Sequence, residues 1–401
     1  MSIEVTSEQL ELKKELKHWW EARQRQIYVY SGRAGTGKTT MVKIFIEEIG
    51  LELRDVVCCA LAGKAVTVLA SHGLQAKTIH SLIYRPTLVD VLDENGEKVL
   101  KENGEPKKKL SFVKKENLDY DYKLIVIDEL SMVNDEMMQD ILSFGVPVIG
   151  MGDLNQLPPI FGISSYMIHP NFVLTKIMRQ AEGDPIVFLA NRILEHQPIS
   201  EGTYGLSHVV RKVELGMNLL TDYNITLCAR NMTRDIFNDG LRKQLLGRDD
   251  RVPRFGDRVI CRQNAWDRCL DGIYLTNGTT GTIVDIDEEH CTKNKMVIDF
   301  APDYNPGMAF QSIELDRRFI MGDYVYRKDS GLTTNLKFEY SYMITTHLSQ
   351  GSQYNSCLFV DEPFGGDRET RQKLRYTAIT RAIKRIDIVT SSAFLSPWAH
   401  L

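Results

Sequence analysis

The chain has 401 residues, 43% hydrophobic and 25% charged, a balance that excludes a disordered or fibrous protein and leaves room for two or three domains. Its net charge of −4 and pI near 6.2 exclude an overall positive field, so nucleic acid would have to be met by a local basic groove. Seven cysteines without a C-x-x-C pair give neither a disulfide framework nor a zinc site and fit a reducing cytoplasm, and no apolar run approaches the ~20 residues of a membrane span.

Residues 6–22 predict a capped helix with Leu10, Leu12, Leu16, Trp19 and Trp20 mostly on one face, packed against the first domain. Gln9, expected to be exposed just after the cap, carries an amide able both to donate to and to accept from an adenine edge. Next, IYVYSGRAGTGKTT runs from a strand into a phosphate-binding loop: Gly32, four residues, then Gly37, Lys38 and Thr39, with a helical MVKIFIEEI run behind. Glycines let the backbone curl so that the N–H groups from Gly32 through Ala34, Gly35, Thr36 and Gly37 to Thr40 face phosphate oxygens. Lys38 should reach the β and γ phosphates of ATP, and the Thr39 hydroxyl should ligate Mg2+.

Val56 to Leu61 reads as a buried strand and Gly63 to Ser71 as a helix, and Thr78 and His80 sit in a loop-to-helix turn. Between 85 and 118 two Asn-Gly turns flanked by short apolar runs predict a β-hairpin excursion, with a basic cluster at Lys107, Lys108, Lys109, Lys114 and Lys115. The strand Lys123 to Ile127 delivers Asp128 and Glu129 at its carboxyl end, where open α/β sheets place their chemistry. Asp128 suits Mg2+ and Glu129 suits deprotonation of an attacking water. Val146 to Met151 ends in GDLNQLPPI, which carries Asp153 and Gln156, the latter placed to touch a γ phosphate. A strand from Phe172 leads to Arg179, and the helix from Asp184 leaves the first domain.

A second α/β unit comes next, with a strand Ile225 to Ala229, Asn231 in a turn and a helix Thr233 to Leu246. Residues 255–335 change to short strands and tight turns and predict an inserted antiparallel barrel. Tyr340 to Thr345, the loop THLSQGS, a strand at Cys357, the TRQKLRYTAITRA helix ending near Arg381 and a last strand complete the unit. The fold class expected is α/β, two P-loop-type units each with an insertion. The acidic pair Asp361-Glu362 lies outside any metal-ligand cluster and gives no support to a nuclease, while a small-molecule phosphotransferase would need a lid and acceptor pocket where this chain has its barrel.

In order along the chain, GRAGTGKTT, CALAGKAVTVL, KTIHSL, LIVIDELSMV, GDLNQLPPI, LTKIMRQ, YMITTHLSQGS and YTAITRA resemble motifs I, Ia, Ib, II, III, IV, V and VI of the superfamily 1B DNA helicases, in particular the RecD-like and phage Dda-like group. The resemblance covers nearly the whole chain. It implies RecA-like motor domains at 1–84 with 119–182 (1A) and at 183–255 with 336–401 (2A), a pin at 85–118 and an SH3-like barrel at 256–335 (2B). It further implies that Gln9 reads adenine, that Gly351 belongs to the nucleotide site, and that Arg179 and Arg381 are arginine fingers acting with Lys38, Glu129 and Gln156. A guanidinium supplied across a cleft couples hydrolysis to domain closure.

Lys64, Thr78, His80, Pro86, Asn231, His347 and Ser349 match the family's single-strand DNA contacts. The implied activity is ATP-dependent 5′ to 3′ translocation and unwinding of forked DNA by a monomer, as part of replication or recombination, in a host cytoplasm if the source is a phage. Two departures stand out: Leu61-Ala62 replaces the family's Pro-Thr, and Leu348 replaces a lysine. Both remove expected DNA contacts, which bears on affinity and stepping more than on hydrolysis and leaves a translocase that displaces protein but unwinds weakly as the alternative.

Overall fold

Short runs rich in Val, Ile and Leu build two six-stranded sheets on which the other elements pack. The computed structural model describes residues 5–90, 97, 98, 100, 104, 106, 108–158, 164–178, 183–211, 222–248, 250–322 and 335–390. In the first sheet β1 (Ile27–Gly32), β2 (Val56–Ala60) and β3 (Ala76–Thr78) alternate with α1 (Ser7–Ala22), α2 (Lys38–Glu48), α3 (Gly63–Ser71) and α4 (Ile79–Ile83). After the hairpin β4 (Tyr84–Asp90) and β5 (Lys108–Lys114), the sheet is completed by β6 (Leu124–Ile127), α5 (Asp135–Leu142), β7 (Val148–Gly152) and β8 (Phe172–Leu174). The order is β3-β2-β6-β7-β1-β8, with every pairing parallel, so the carboxyl ends of β1, β6 and β7 lie side by side. Leu12, Leu16, Trp19, Met41 and Phe45 cover one face, and Ile79, Leu130, Met138 and Ile141 the other. Each such side chain contributes roughly 1.5–3 kcal/mol by burial. Leu10 departs from the expected face and is 49% exposed.

The hairpin holds seven register pairs from Tyr84↔Lys114 to Asp90↔Lys108. Its root is fixed by the Lys115 N–H donating to the Ile83 carbonyl at 2.9 Å and by the Tyr84 hydroxyl donating to Asp140 at 2.5 Å. A bridge Leu100↔Pro106 spans the second Asn-Gly turn, with Gly104 at φ +80, while the first turn lies outside the described residues. Of the basic cluster, Lys114 faces Asp140 and Ser143, and Lys115 pairs with Asp119 and the Ser81 carbonyl. The side chains of Lys107, Lys108 and Lys109 lie outside the described residues.

The second sheet begins with α6 (Pro185–Leu194), β9 (Gly202–Tyr204), β10 (Ser207–Val210), β11 (Ile225–Cys228) and α7 (Asn231–Leu246). The chain then leaves it for β12 (Arg258–Cys261), β13 (Ala265–Leu270), β14 (Ile273–Leu275), β15 (Thr280–Ile286), β16 (Lys295–Pro302), β17 (Phe310–Asp316) and β18 (Phe338–Tyr340). It returns for β19 (Met343–Thr345), β20 (Tyr354–Val360), α8 (Arg368–Ile379) and β21 (Ala382–Val389). The order is β19-β11-β20-β21-β10-β9, parallel except at β9.

The excursion forms an antiparallel five-stranded sheet, β17-β16-β15-β12-β18. Its two edges meet where the Asp316 N–H donates to Leu336 and the Leu336 N–H to Glu314, both at 2.8 Å, which gives the sheet a barrel-like closure. Asp257 roots it on α7: Arg242 lies 3.3 Å away, both side chains being buried, and the Tyr342 hydroxyl donates at 2.7 Å. Removing one partner of such a pair costs on the order of 3–5 kcal/mol.

Candidate functional site: a phosphate loop closed from the second sheet

The loop after β1 curls through Gly35 at φ +79 and Gly37 at φ +77 before α2 starts at Lys38, a run of backbone N–H groups ending at a helix N-terminus. At Gly37 a Cβ would come within 2.7 Å of the Gln9 amide nitrogen and 2.4 Å of the Met178 sulfur, so only glycine fits. The Lys38 ammonium donates to the Gly32 and Arg33 carbonyls at 2.7 and 3.3 Å, and the Thr36 hydroxyl donates to the Arg33 carbonyl. Ala34, Thr39 and Thr40 are half-buried along the same loop.

Gln9 is not exposed: at 1% exposure its oxygen accepts from the Thr6 N–H in a capping box, and its nitrogen donates to the Thr36 carbonyl at 2.9 Å. The sequence pattern of the cap hides this, because the capping box turns the residue inward onto the loop.

Asp128 and Glu129 succeed β6 beside that loop. The Glu129 N–H donates to Asp128 at 2.9 Å, and burial together with the Glu129 charge pushes the Asp128 carboxyl up to about 6 against the pull of Lys38 and Arg381. Glu129 itself adopts φ +51, a conformation that costs a non-glycine residue on the order of 1–3 kcal/mol and that aims its carboxylate at the second sheet. There its oxygens meet the Arg381 guanidinium at 3.4 Å and the Gly351 N–H at 3.1 Å. Arg381 is 1% exposed and also donates to Gln156 and to the carbonyls of Ser352 and Thr377. A Cβ on Gly351, at φ +74, would stand 2.7 Å from that of Ala62, so the loop after β19 lies directly on the first unit.

The loop after β7 is gripped from the same side. Asp153 closes an Asx turn on Asn155 and accepts from the Tyr376 hydroxyl at 2.6 Å. The Leu157 N–H donates to the Thr377 hydroxyl at 2.9 Å, and the Gln350 amide donates to the Leu157 carbonyl at 2.8 Å. The Tyr376 oxygen also accepts from the Ala34 N–H at 2.9 Å. Lys38, Glu129, Gln156 and Arg381 are thus brought to one cleft, with Gly351 at its edge. Tyr376, Thr377 and Gln350 are residues that the motif pattern does not single out, although the first two sit inside YTAITRA beside Arg381. Arg179 lies outside the described residues; its neighbour Met178 donates its N–H to the Gly35 carbonyl at 3.0 Å.

The expected DNA contacts divide. His80 and His347 line one cavity of about 390 Å³ with Leu61, Ala62, Leu348 and the Asn277-Gly278 turn of the five-stranded unit. Burial pushes His80 down to about 4 and lowers His347, so both imidazoles are neutral at physiological pH. Thr78 and Ser349 do not present free hydroxyls: Thr78 caps α4 by accepting from the Ser81 N–H, and Ser349 donates to the Thr346 carbonyl at 2.7 Å, both side chains being buried. Asn231 is exposed and is the first residue of α7, not a turn residue. That helix start is already satisfied by Glu362, which accepts from the Ala229 and Arg230 N–H groups. Lys64 begins α3 one residue after Gly63 and Pro86 pairs with Phe112 in the hairpin, their side chains lying outside the described residues.

Among the described residues no group of His, Cys, Asp and Glu could hold a metal by itself, and no helix is long and apolar enough to cross a membrane. Mg2+ does not need such a cage: one carboxylate, a hydroxyl, water and phosphate oxygens suffice, and Asp128 within the field of Lys38 with Thr39 on the adjacent helix start supplies that donor set.

A P-loop facing a second sheet that reaches its acidic pair with a buried arginine defines a two-unit α/β P-loop fold with a cleft between the units. Residues 6–204 match the AAA domain family model. A solved structure of Bacteroides Pif1 bound to single-stranded DNA superposes with a TM-score of 0.52 over 96% of this chain and 92% of that one; at 18% identity this establishes a shared fold. The ATP-dependent RecD2 DNA helicase of Deinococcus radiodurans is 25% identical over 90% of this chain and 46% of its own length, and an uncharacterised protein of Methanocaldococcus jannaschii is 25% identical over 91% and 36%. The chain spans less than half of either relative. With its motifs in order on this fold, the chain is similar to helicases of superfamily 1B.

Proposed function

We propose that this chain is an ATP-driven DNA helicase that moves 5′ to 3′ along single-stranded DNA and opens the duplex ahead of it. The observation that carries the reading is that Glu129, in the first unit, is held by Arg381 and the Gly351 N–H of the second. In this reading Glu129 orients and deprotonates the attacking water, Lys38 and Arg381 with Arg179 neutralise charge on the γ phosphoryl group, and Gln156 passes the cleft's state along its loop. Gln9 supports the nucleotide loop from behind. Bound through Asp128 and Thr39, Mg2+ would neutralise phosphate charge. Residues 1–84 with 119–182 act as motor domain 1A, 183–255 with 336–401 as 2A, the hairpin at 85–118 as the pin and 256–335 as the SH3-like domain 2B.

Single-stranded DNA would run past His80 and His347 between the two units and the 2B domain, with Lys64, Pro86 and Asn231 on the same path and Thr78 and Ser349 shaping it. Both walls of the cleft come from one chain, which favours a working monomer. The cavity's Leu61, Ala62 and Leu348, where the family carries polar contacts, favour a second reading: a translocase that strips bound protein and unwinds weakly. ATPase rate with and without single-stranded DNA tests the motor, and duplexes with a 5′ or a 3′ tail test direction. A rate indifferent to DNA would sink both readings, and a 3′-tail preference would sink the polarity.

A further inference from the structure

One phenol joins three parts of this cleft. The side chain of Tyr376, 0% exposed, projects from the last turn of α8, packed among Leu374, Ile379 and the strands of the second sheet. Its oxygen crosses to the first unit, where it donates to Asp153 Oδ2 at 2.6 Å and accepts from the Ala34 N–H at 2.9 Å. A phenol has one proton to give and lone pairs to accept with, and here both capacities are used on elements other than its own. One acceptor belongs to the loop after β7 that presents Gln156 to Arg381, and the donor belongs to the phosphate loop itself. Arg381 lies five residues beyond Tyr376, and its Nε donates back to the Thr377 carbonyl at 3.3 Å. Moving the hydroxyl therefore moves the arginine relative to both loops.

We propose that Tyr376 is a positioning residue for ATP hydrolysis: its hydroxyl pins the Ala34 amide and the Asp153 carboxylate to the helix end that carries Arg381, so the phosphate loop, the Gln156 loop and the guanidinium keep one geometry. The inference rests on the motor function proposed for this chain. Hydrolysis is sensitive to such a tie because a misplacement on the order of 1 Å costs about a hundredfold in rate, while nucleotide affinity rests mainly on Lys38 and the other loop amides, Ala34 being the one amide that the hydroxyl engages. The adjacent Thr377–Leu157 bond is made by a neighbouring side chain and survives loss of the phenol oxygen, so the tie should weaken and not vanish.

The test is Tyr376→Phe in the full chain, which keeps the ring and removes the oxygen. With saturating oligothymidylate, kcat for ATP should fall about tenfold, equivalent to about 1.4 kcal/mol, with KM and the affinity for a fluorescent ADP within about twofold of wild type. Asp153 gives a second arm: its Oδ1 holds Asn155 and its Oδ2 accepts from Tyr376, so Asp153→Asn, with one acceptor oxygen for two bonds, should lose part of kcat, and combining it with Tyr376→Phe should add less than the sum of the two losses. If Tyr376→Phe does not fold, Asp153→Asn carries the test through the same separation of kcat from KM. A kcat unchanged in Tyr376→Phe, a loss confined to KM, or fully additive losses in the combined Asp153→Asn and Tyr376→Phe variant overturns the proposal. Failure of the wild-type chain to respond to DNA at all would instead count against the motor reading, which makes the two failures distinguishable.

Discussion

Arg381 and Glu129 face each other across two sheets, the guanidinium 3.4 Å from the carboxylate, on residues 252 positions apart in the chain. A guanidinium 1% exposed must find its partners inside the protein, and Arg381 divides its donors among Glu129, Gln156 and two carbonyls of its own unit. The arrangement makes the acidic group and the arginine sensitive to one distance, the width of the cleft.

Arg381→Ala should therefore lower DNA-stimulated kcat by about a thousandfold or more, in the range seen for arginine fingers, while nucleotide binding stays within a few fold. Steady-state ATPase and fluorescent-nucleotide titration separate the two. A loss of nucleotide affinity matching the loss of kcat would contradict the assignment.

Lys38→Ala and Glu129→Gln should each abolish turnover and leave the fold intact by circular dichroism. The glutamine variant should still bind nucleotide, because the charge removed faces Arg381 and the Gly351 N–H and not the phosphate loop. Normal hydrolysis in either variant would remove that residue from the site.

The raised Asp128 carboxyl gives a pH dependence with a definite sign. A metal ligand must be deprotonated, so protons and Mg2+ compete for Asp128, and competition grows as pH falls through about 6. The Mg2+ concentration for half-maximal ATPase should rise as pH drops from about 7 to 5, up to about tenfold per unit below the pKa. In Asp128→Asn that slope should be shallower, the remainder coming from the terminal phosphate of ATP, whose second pKa of about 6 lies in the same range. A half-maximal Mg2+ concentration unchanged down to pH 5 would remove Asp128 as the ligand. His80, down at about 4, contributes no charge change in this window.

Leu348 lines the cavity beside His347 where the family carries a lysine. Leu348→Lys should tighten single-stranded DNA binding and steepen its dependence on log salt by about one charge, as one more phosphate contact requires. Fluorescence anisotropy with labelled oligothymidylate at several salt concentrations reads both. An unchanged slope would place the strand elsewhere.

Gly351→Ala combines φ +74 with a Cβ 2.7 Å from Ala62, so the loop after β19 would have to lift off the first unit. The Gly351 N–H would then lose Glu129. A reduced kcat with a Tm lowered by a few degrees is the expected pair of effects, and an unchanged kcat would show that this contact does not matter to turnover.

The parallel strands and the loops at their ends are legible because their signals are local: an apolar run, then Gly37-Lys38-Thr39, Asp128-Glu129 or Asp153. What a linear pattern does not show is which groups meet. Tyr376 reaches Ala34 across 342 positions, and no periodicity marks such a pair. Gln9 escapes the pattern for a related reason, since the capping box that identifies the helix start also turns its amide inward. Thr78 and Ser349 match family positions, yet their hydroxyls close local hydrogen bonds, a use that residue type alone does not reveal. Glu362, half of an acidic pair with no evident partner in the sequence, in fact satisfies the start of α7.

The bond between Ala34 and Tyr376 also orders the events of synthesis. The first sheet needs nothing beyond β8, which ends at Leu174, so it can form while the chain is still being made. The helix bearing Tyr376, with Arg381 just past its end, emerges about 200 residues later, which at ~5–20 residues per second is a delay on the order of ten to forty seconds. Throughout that interval the nascent protein carries a finished phosphate loop with no opposing wall, and the cleft is complete only once Arg381 has left the ribosome.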